Sequence, residues 1–177
     1  MLNKAIKFAT DAHNGATRKG SDTPYILHPL EAAAIVSRLT SDQDLMIAAM
    51  LHDTIEDTCI TYEDIKQEFG ERIANLVNHE SEDKSKTWHE RKSHTLNTLQ
   101  NEPLDVKIVA FGDKLSNIRS MASDYKRIGD KLWDRFNEKN KSNQGWYYRG
   151  LLDCFKEFQD TQEYQEYKML LEQVFGL

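Results

Sequence analysis

The chain has 177 residues, with 29 acidic against 23 basic side chains and a net charge of −6. That length suits one domain, residues 1–177, with a core of ordinary size. The acidic balance excludes the broad basic face that a nucleic-acid polymer needs, but leaves room for a few local cations around a small anionic ligand.

Helix signals dominate in chain order. Leu2, Ala5, Ile6, Ala9 and Ala12 repeat at helical spacing, with Gly15 placed as the C′ glycine. GATRKGSDTPYILH reads as an ordered loop, and His28-Pro29 as the start of a helix running through PLEAAAIVSRL. Ser41 or Asp42 can cap the next helix, DQDLMIAAMLHDTIED. Thr61 with Asp64 resembles a capping box for YEDIKQEF, and Gly70 ends that helix. ERIANLVNHE is helical, SEDKSK a polar loop, and TWHERKSHTLNTL helical up to Pro103. LDVKIVAFGDKLSNIRSM suits a buried helix, and a tail of one or two helices begins after Gly145.

No run approaches transmembrane length. The amphipathic opening LNKAIKFATDAHNG lacks the apolar core of a secretory leader. Cys59 and Cys154 form no C-x-x-C pair and fit reduced thiols in the cytoplasm. The expected architecture is all-α. Neither a membrane nor a nucleic-acid polymer is an expected partner, and oligomeric state is left undetermined.

The helix before His52 is apolar on nearly all sides, from Leu45 to Leu51, so it is buried rather than amphipathic. His52 and Asp53 leave its C-terminal end, His28 opens a helix, and Asp113 interrupts an apolar one. Each alone has a bland reading as a cap, a kink or a salt-bridge partner. The order His…His-Asp…Asp, with all four leaving apolar helices, points instead to a shared cation. Two imidazoles and two carboxylates suit Mn²⁺ or Fe²⁺, or another divalent ion with open positions, better than a closed structural Zn²⁺ site.

Three segments, HNGATRKGSDTPYILHP, AAMLHDTIEDT and GDKLSNIRS, resemble in that order the HD-domain phosphohydrolases. Within them, they are most similar to the hydrolase domain of the RelA/SpoT family and its small stand-alone relatives. The resemblance runs from about Ala12 to Arg119. It implies a compact helical bundle around one Mn²⁺ held by His28, His52, Asp53 and Asp113. It also implies a nucleotide substrate and removal of the 3′-pyrophosphate of guanosine tetra- or pentaphosphate.

Such chemistry needs a group that orients water and takes its proton, and the resemblance assigns this to Glu56 and Asp57. The helix dipole disfavours carboxylates at a C-terminus, so stability would not place them there. Arg18 and Lys19 match the family's basic pair for phosphate binding. Asn117, four residues after Asp113, matches its nucleotide contact. Lys92, Lys114, Arg119 and the cluster Tyr147, Tyr148 and Arg149 are further candidates for substrate contact. The length leaves no room for the family's synthesising and regulatory domains. HESEDKSKTWHERK departs from the long enzymes where substrate selection could occur, so NADPH or another 3′-phosphorylated nucleotide remains the alternative substrate.

Overall fold

A computed structural model describes residues 1–79 and 85–176. Among them, every regular element is helical, apart from one isolated antiparallel bridge between Thr17 and Pro24. In chain order the helices are α1 (Leu2–Ala12), α2 (Leu27–Leu39), α3 (Gln43–Leu51), α4 (Thr54–Asp57) and α5 (Tyr62–Phe69). They continue as α6 (Glu71–His79), α7 (Trp88–Leu99), α8 (Leu104–Ile128), α9 (Lys141–Cys154) and α10 (Gln162–Phe175). The all-α reading stands. No helix among the described residues is long and apolar enough to cross a membrane.

The helices form two compact units. The first takes the described residues up to 79 together with 104–116. Its centre is α3, which packs on α1, α2 and α6. Leu45 and Ile47 through Leu51 are all buried, which explains why no polar face is present in that sequence. Asp42 caps α3 by accepting from the Asp44 N–H, and Thr61 and Asp64 form the capping box of α5. Arg72 of α6 gathers the carboxylates of Asp42, Asp44 and Asp105 at 2.8–3.0 Å.

The second unit takes the described residues of 85–103 and those from 117 on, with α9 packed on α7 and α10. Tyr148, Tyr167 and Phe175 stack in its interior, where the Tyr148 ring lies 6.4 Å from Tyr167 and 5.8 Å from Phe175. The Arg119 guanidinium forks onto the Glu166 carboxylate at 2.6 and 2.8 Å.

The structure departs from the sequence reading at several places. The helix expected from Asp42 through Asp57 breaks at His52-Asp53, so Glu56 and Asp57 stand in the first turn of the short α4. α4 is one turn long, so its first turn is also its last, and Asp57 is its final residue. α9 begins at Lys141, so Gly145 lies inside it, where an added Cβ would meet the Phe175 ring at 3.1 Å. A 3-10 helix at Gly129–Arg135 was not foreseen. Gly15, with φ +79, turns the chain two residues beyond the His13 cap rather than ending α1 itself. Residues 81–84 of the expected polar loop lie outside the described residues.

One glycine sets how closely two helices of the first unit approach. An added Cβ at Gly112 of α8 would stand 2.7 Å from Val36 Cγ2 and 2.8 Å from the Ala32 carbonyl oxygen of α2. Because the second contact is backbone, no rotamer relieves it. Gly112→Ala is therefore expected to destabilise by about 1–3 kcal/mol through overpacking. The melting temperature should fall by roughly 2–12 °C, and a calorimetric scan matching the parent would contradict this account of the contact.

Candidate metal centre

His28 enters from the first turn of α2, His52 and Asp53 from the break after α3, and Asp113 from the middle of α8. Pro29 follows His28 at the third helical position, which tolerates a missing N–H because no carbonyl precedes it in the ladder. The break after Leu51 turns Asp53 back toward His52, so neighbours in sequence share one site.

The facing atoms converge. His28 Nε2 lies 3.1 Å from Asp113 Oδ1 and 3.5 Å from Asp53 Oδ2. His52 Nε2 lies 2.9 Å from Asp53 Oδ2 and 3.5 Å from Asp113 Oδ1. One ligand atom each from His28, His52 and Asp113 falls within 4.8 Å of the others. Both histidines and Asp113 are buried, and Asp53 is half-buried.

The hydrogen-bonding of the rings shows what these atoms carry. His52 Nδ1 lies 2.7 Å from the Ala49 carbonyl, which only accepts, so Nδ1 holds the proton of the neutral ring. In the neutral ring Nε2 is then a lone pair, buried without a hydrogen-bond partner among the described residues and facing two carboxylates. His28 Nδ1 lies 2.8 Å from Ser116 Oγ. Three of these residues, His28, His52 and Asp113, thus group around one point, with Asp53 Oδ2 beside both histidines. Donors about 2.1 Å from a shared ion stand about 3 Å apart when adjacent, so the observed spacing fits a divalent cation.

Charge in the cluster follows the same logic. Burial would lower the affinity of His52 for a proton, but the carboxylates of Asp53 and Asp113 outweigh it and raise its pKa well above the ordinary value. Burial depresses His28, with Asp113 opposing. Burial also works against ionised Asp53 and Asp113. His52 nevertheless holds Asp53 below the usual carboxylate range, and Lys114 followed by His52 does the same for Asp113. The Lys114 ammonium pairs with Asp113 Oδ2, leaving Oδ1 to the histidines.

Around this core stand residues the sequence reading left unassigned. The Tyr25 hydroxyl donates to Asp53 Oδ2 at 2.6 Å and lies 3.4 Å from Asp57 Oδ2, joining the two carboxylates. Burial and then the Asp53 charge push its pKa up, so it stays a donor. The buried His13 ring lies 4.9 Å from the Tyr25 ring, and its Nε2 has no hydrogen-bond partner among the described residues. Ser116 and Glu31 complete the surroundings of His28. Their signal in the sequence is spacing: Tyr25 and Glu31 flank His28 by three residues, and Ser116 follows Asp113 by three.

The other sequence candidates are distributed more widely. Glu56 is half-buried and Asp57 exposed on α4. Arg18 lies over the Tyr25 ring, 5.5 Å from its centroid, and Lys19 is exposed next to it. Asn117 follows Asp113 by one turn of α8. In the second unit, Lys92 lies 4.9 Å from the Tyr147 ring centroid, Tyr147 and Tyr148 are buried, and Arg149 donates to the Gly176 carbonyl.

Known proteins resemble this arrangement. The family model described as HD domain matches residues 5–138. A Xenopus tropicalis protein named guanosine-3′,5′-bis(diphosphate) 3′-pyrophosphohydrolase MESH1 is 36% identical over 136 residues, covering 75% of this chain and 74% of that one. An Aquifex aeolicus protein named guanosine-3′,5′-bis(diphosphate) 3′-pyrophosphohydrolase is 49% identical over 76 residues, 43% of this chain and 11% of its own length. The chain therefore spans a small part of that longer relative and most of the short one. A solved structure, described as a metazoan ortholog of SpoT that hydrolyses ppGpp, superposes with a TM-score of 0.82 at 23% identity. That superposition covers 99% of this chain and 96% of the other, and it shows a shared fold. With its helical architecture, its converging histidines and aspartate and a family match over most of its length, the chain belongs to the HD-domain family.

Proposed function

We propose that this chain is a divalent-metal-dependent hydrolase that removes the 3′-pyrophosphate of guanosine tetra- or pentaphosphate, leaving GDP or GTP. The observation that carries the reading is the grouping of one ligand atom each from His28, His52 and Asp113 within 4.8 Å, with Asp53 Oδ2 3.5 and 2.9 Å from the two histidine nitrogens. Similarity to a short protein named for that reaction, over 75% of this chain and 74% of that one, supports the substrate. The two-nitrogen, two-oxygen set suits Mn²⁺ or Fe²⁺, and the family resemblance makes Mn²⁺ the ion proposed.

When bound, such a cation lowers the pKa of water and offsets charge on phosphoryl oxygens. His28, His52, Asp53 and Asp113 would hold it. Glu56 and Asp57, on the short helix directly after the ligands, orient the water and accept its proton. The Tyr25 hydroxyl, between Asp53 and Asp57, keeps the accepting carboxylate in register with the ligand carboxylate. Water adds to the phosphorus attached to the ribose 3′ oxygen, the bond between them breaks, and that oxygen leaves as the 3′-hydroxyl with a proton. Arg18, Lys19 and Asn117 receive the nucleotide, with Arg18 steadied by the Tyr25 ring.

Mn²⁺ at a hundred times its dissociation constant should stabilise the protein by about 2.7 kcal/mol, read as a rise in melting temperature. His52→Ala should abolish that rise, and an unchanged rise would remove His52 from the site. In an assay with Mn²⁺ and guanosine tetraphosphate, pyrophosphate is the expected product. Release of orthophosphate from NADPH with no action on the tetraphosphate would replace the substrate while keeping the metal. Glu56→Gln should bind Mn²⁺ like the parent and lose turnover by roughly 10²–10⁴-fold. Full activity in that variant would refute its role as base. Lys19→Ala should raise KM with kcat little changed, as expected for lost uniform binding.

A further inference from the structure

A ligating imidazole needs one bare nitrogen, and the partner of the other nitrogen decides which one is bare. His52 meets this need locally, because Nδ1–H donates to the Ala49 carbonyl three residues back. Side-chain substitution does not remove that acceptor. His28 has no such neighbour. It stands in the first turn of α2, and its Nδ1 reaches Ser116 Oγ, 88 positions away on α8, at 2.8 Å.

Ser116 is 1% exposed, and its hydroxyl is spent in an unusual direction. A serine within a helix commonly turns back onto a carbonyl of the preceding turn. Ser116 instead crosses to α2, where Glu31 Oε2 accepts from it at 2.7 Å. Proton counting then fixes the sense of the chain. An ionised carboxylate only accepts, and the serine has one proton to give. That proton lies toward Glu31, so the serine oxygen accepts from His28 Nδ1–H. His28 Nε2 is left bare, facing Asp113 and Asp53 at 3.1 and 3.5 Å.

We infer that Ser116 and Glu31 are positioning residues that hold His28 in its metal-binding tautomer and orientation, with the Glu31 carboxylate acting on His28 through the Ser116 hydroxyl. The two helices are in register for this: His28 and Glu31 lie one turn apart on α2, as do Asp113 and Ser116 on α8. Gly112 brings the helices to the needed distance, because a Cβ there would strike the Ala32 carbonyl. The inference rests on the metal-dependent reading of the cluster, since the relay matters only if His28 Nε2 meets a cation.

The test is Mn²⁺ affinity of the metal-stripped full chain, following free Mn²⁺ by its electron paramagnetic resonance signal and the heat of binding by calorimetry. Ser116→Ala should weaken binding about 10–100-fold, the usual loss for a partner of a ligating histidine. Glu31→Gln keeps an acceptor for the serine but loses the charge, and should weaken binding by roughly 3–10-fold. In the Ser116→Ala background, Glu31→Gln should have no further effect, which a general structural role of Glu31 would not produce. Glu31→Ala, a change at a half-exposed position, covers the case in which Ser116→Ala fails to fold. It frees the serine proton to turn toward His28 Nδ1 and should lower affinity likewise. Parental affinity in both Ser116→Ala and Glu31→Ala, or independent effects in the double variant, would overturn the relay. A parent that binds no Mn²⁺ would overturn the metal reading and the relay together, whereas tight binding by the parent with unaffected variants would overturn the relay alone.

Discussion

The first unit depends on a repulsion. Two imidazole nitrogens and a carboxylate oxygen of Asp113 are gathered within 4.8 Å in a buried setting, with Asp53 Oδ2 beside both histidines. Burying even one carboxylate costs several kcal/mol after relaxation. The Lys114 ammonium answers one oxygen of Asp113, and the Tyr25 hydroxyl answers Asp53 Oδ2. The raised pKa of His52 is the same field seen from the nitrogen. Whatever positive charge enters must sit where that field is strongest, among these groups.

The helices make this arrangement cheaper than it first looks. α3 is buried on all sides, so its end is fixed in position by the core rather than by the site, and the break after Leu51 presents His52 and Asp53 from a rigid platform. α2 and α8 approach at Gly112, close enough that side chains one turn apart on each face one another. The polar residues therefore inherit their positions from apolar packing. Shifting α8 away from α2 would part Asp113 from His28 and Ser116 from Glu31 in one movement.

Much of this was legible in the sequence for physical reasons. Helix type followed from apolar spacing, and the caps at Asp42 and Thr61 followed from short side chains that accept from free N–H groups. The candidate ligands stood out because charged and imidazole groups leaving apolar helices need compensation. The break at His52-Asp53 was hidden, since neither glycine nor proline marks it and the apolar run continues smoothly to it. Gly145 was misread as a helix boundary, because its reason is the Phe175 ring in another helix. Tyr25, Glu31 and Ser116 were equally hidden: their partners lie 28 to 88 positions away, and only folding brings them together. Arg119, a candidate for phosphate in the sequence, is held by Glu166 for the same reason.

The two histidines differ in what secures them, and the difference has a thermodynamic consequence. His52 is tied to a carbonyl three residues back, so its orientation comes with the end of α3. His28 is tied through side chains across 88 positions, so its orientation exists only once α2 and α8 have met. A cation that needs both nitrogens therefore binds the folded state and not the open chain. Its binding free energy then adds to the stability of the fold. On the proposed function, that same coupling would make the α2–α8 contact a determinant of metal affinity, although no atom of Gly112, Ala32 or Val36 is a candidate ligand.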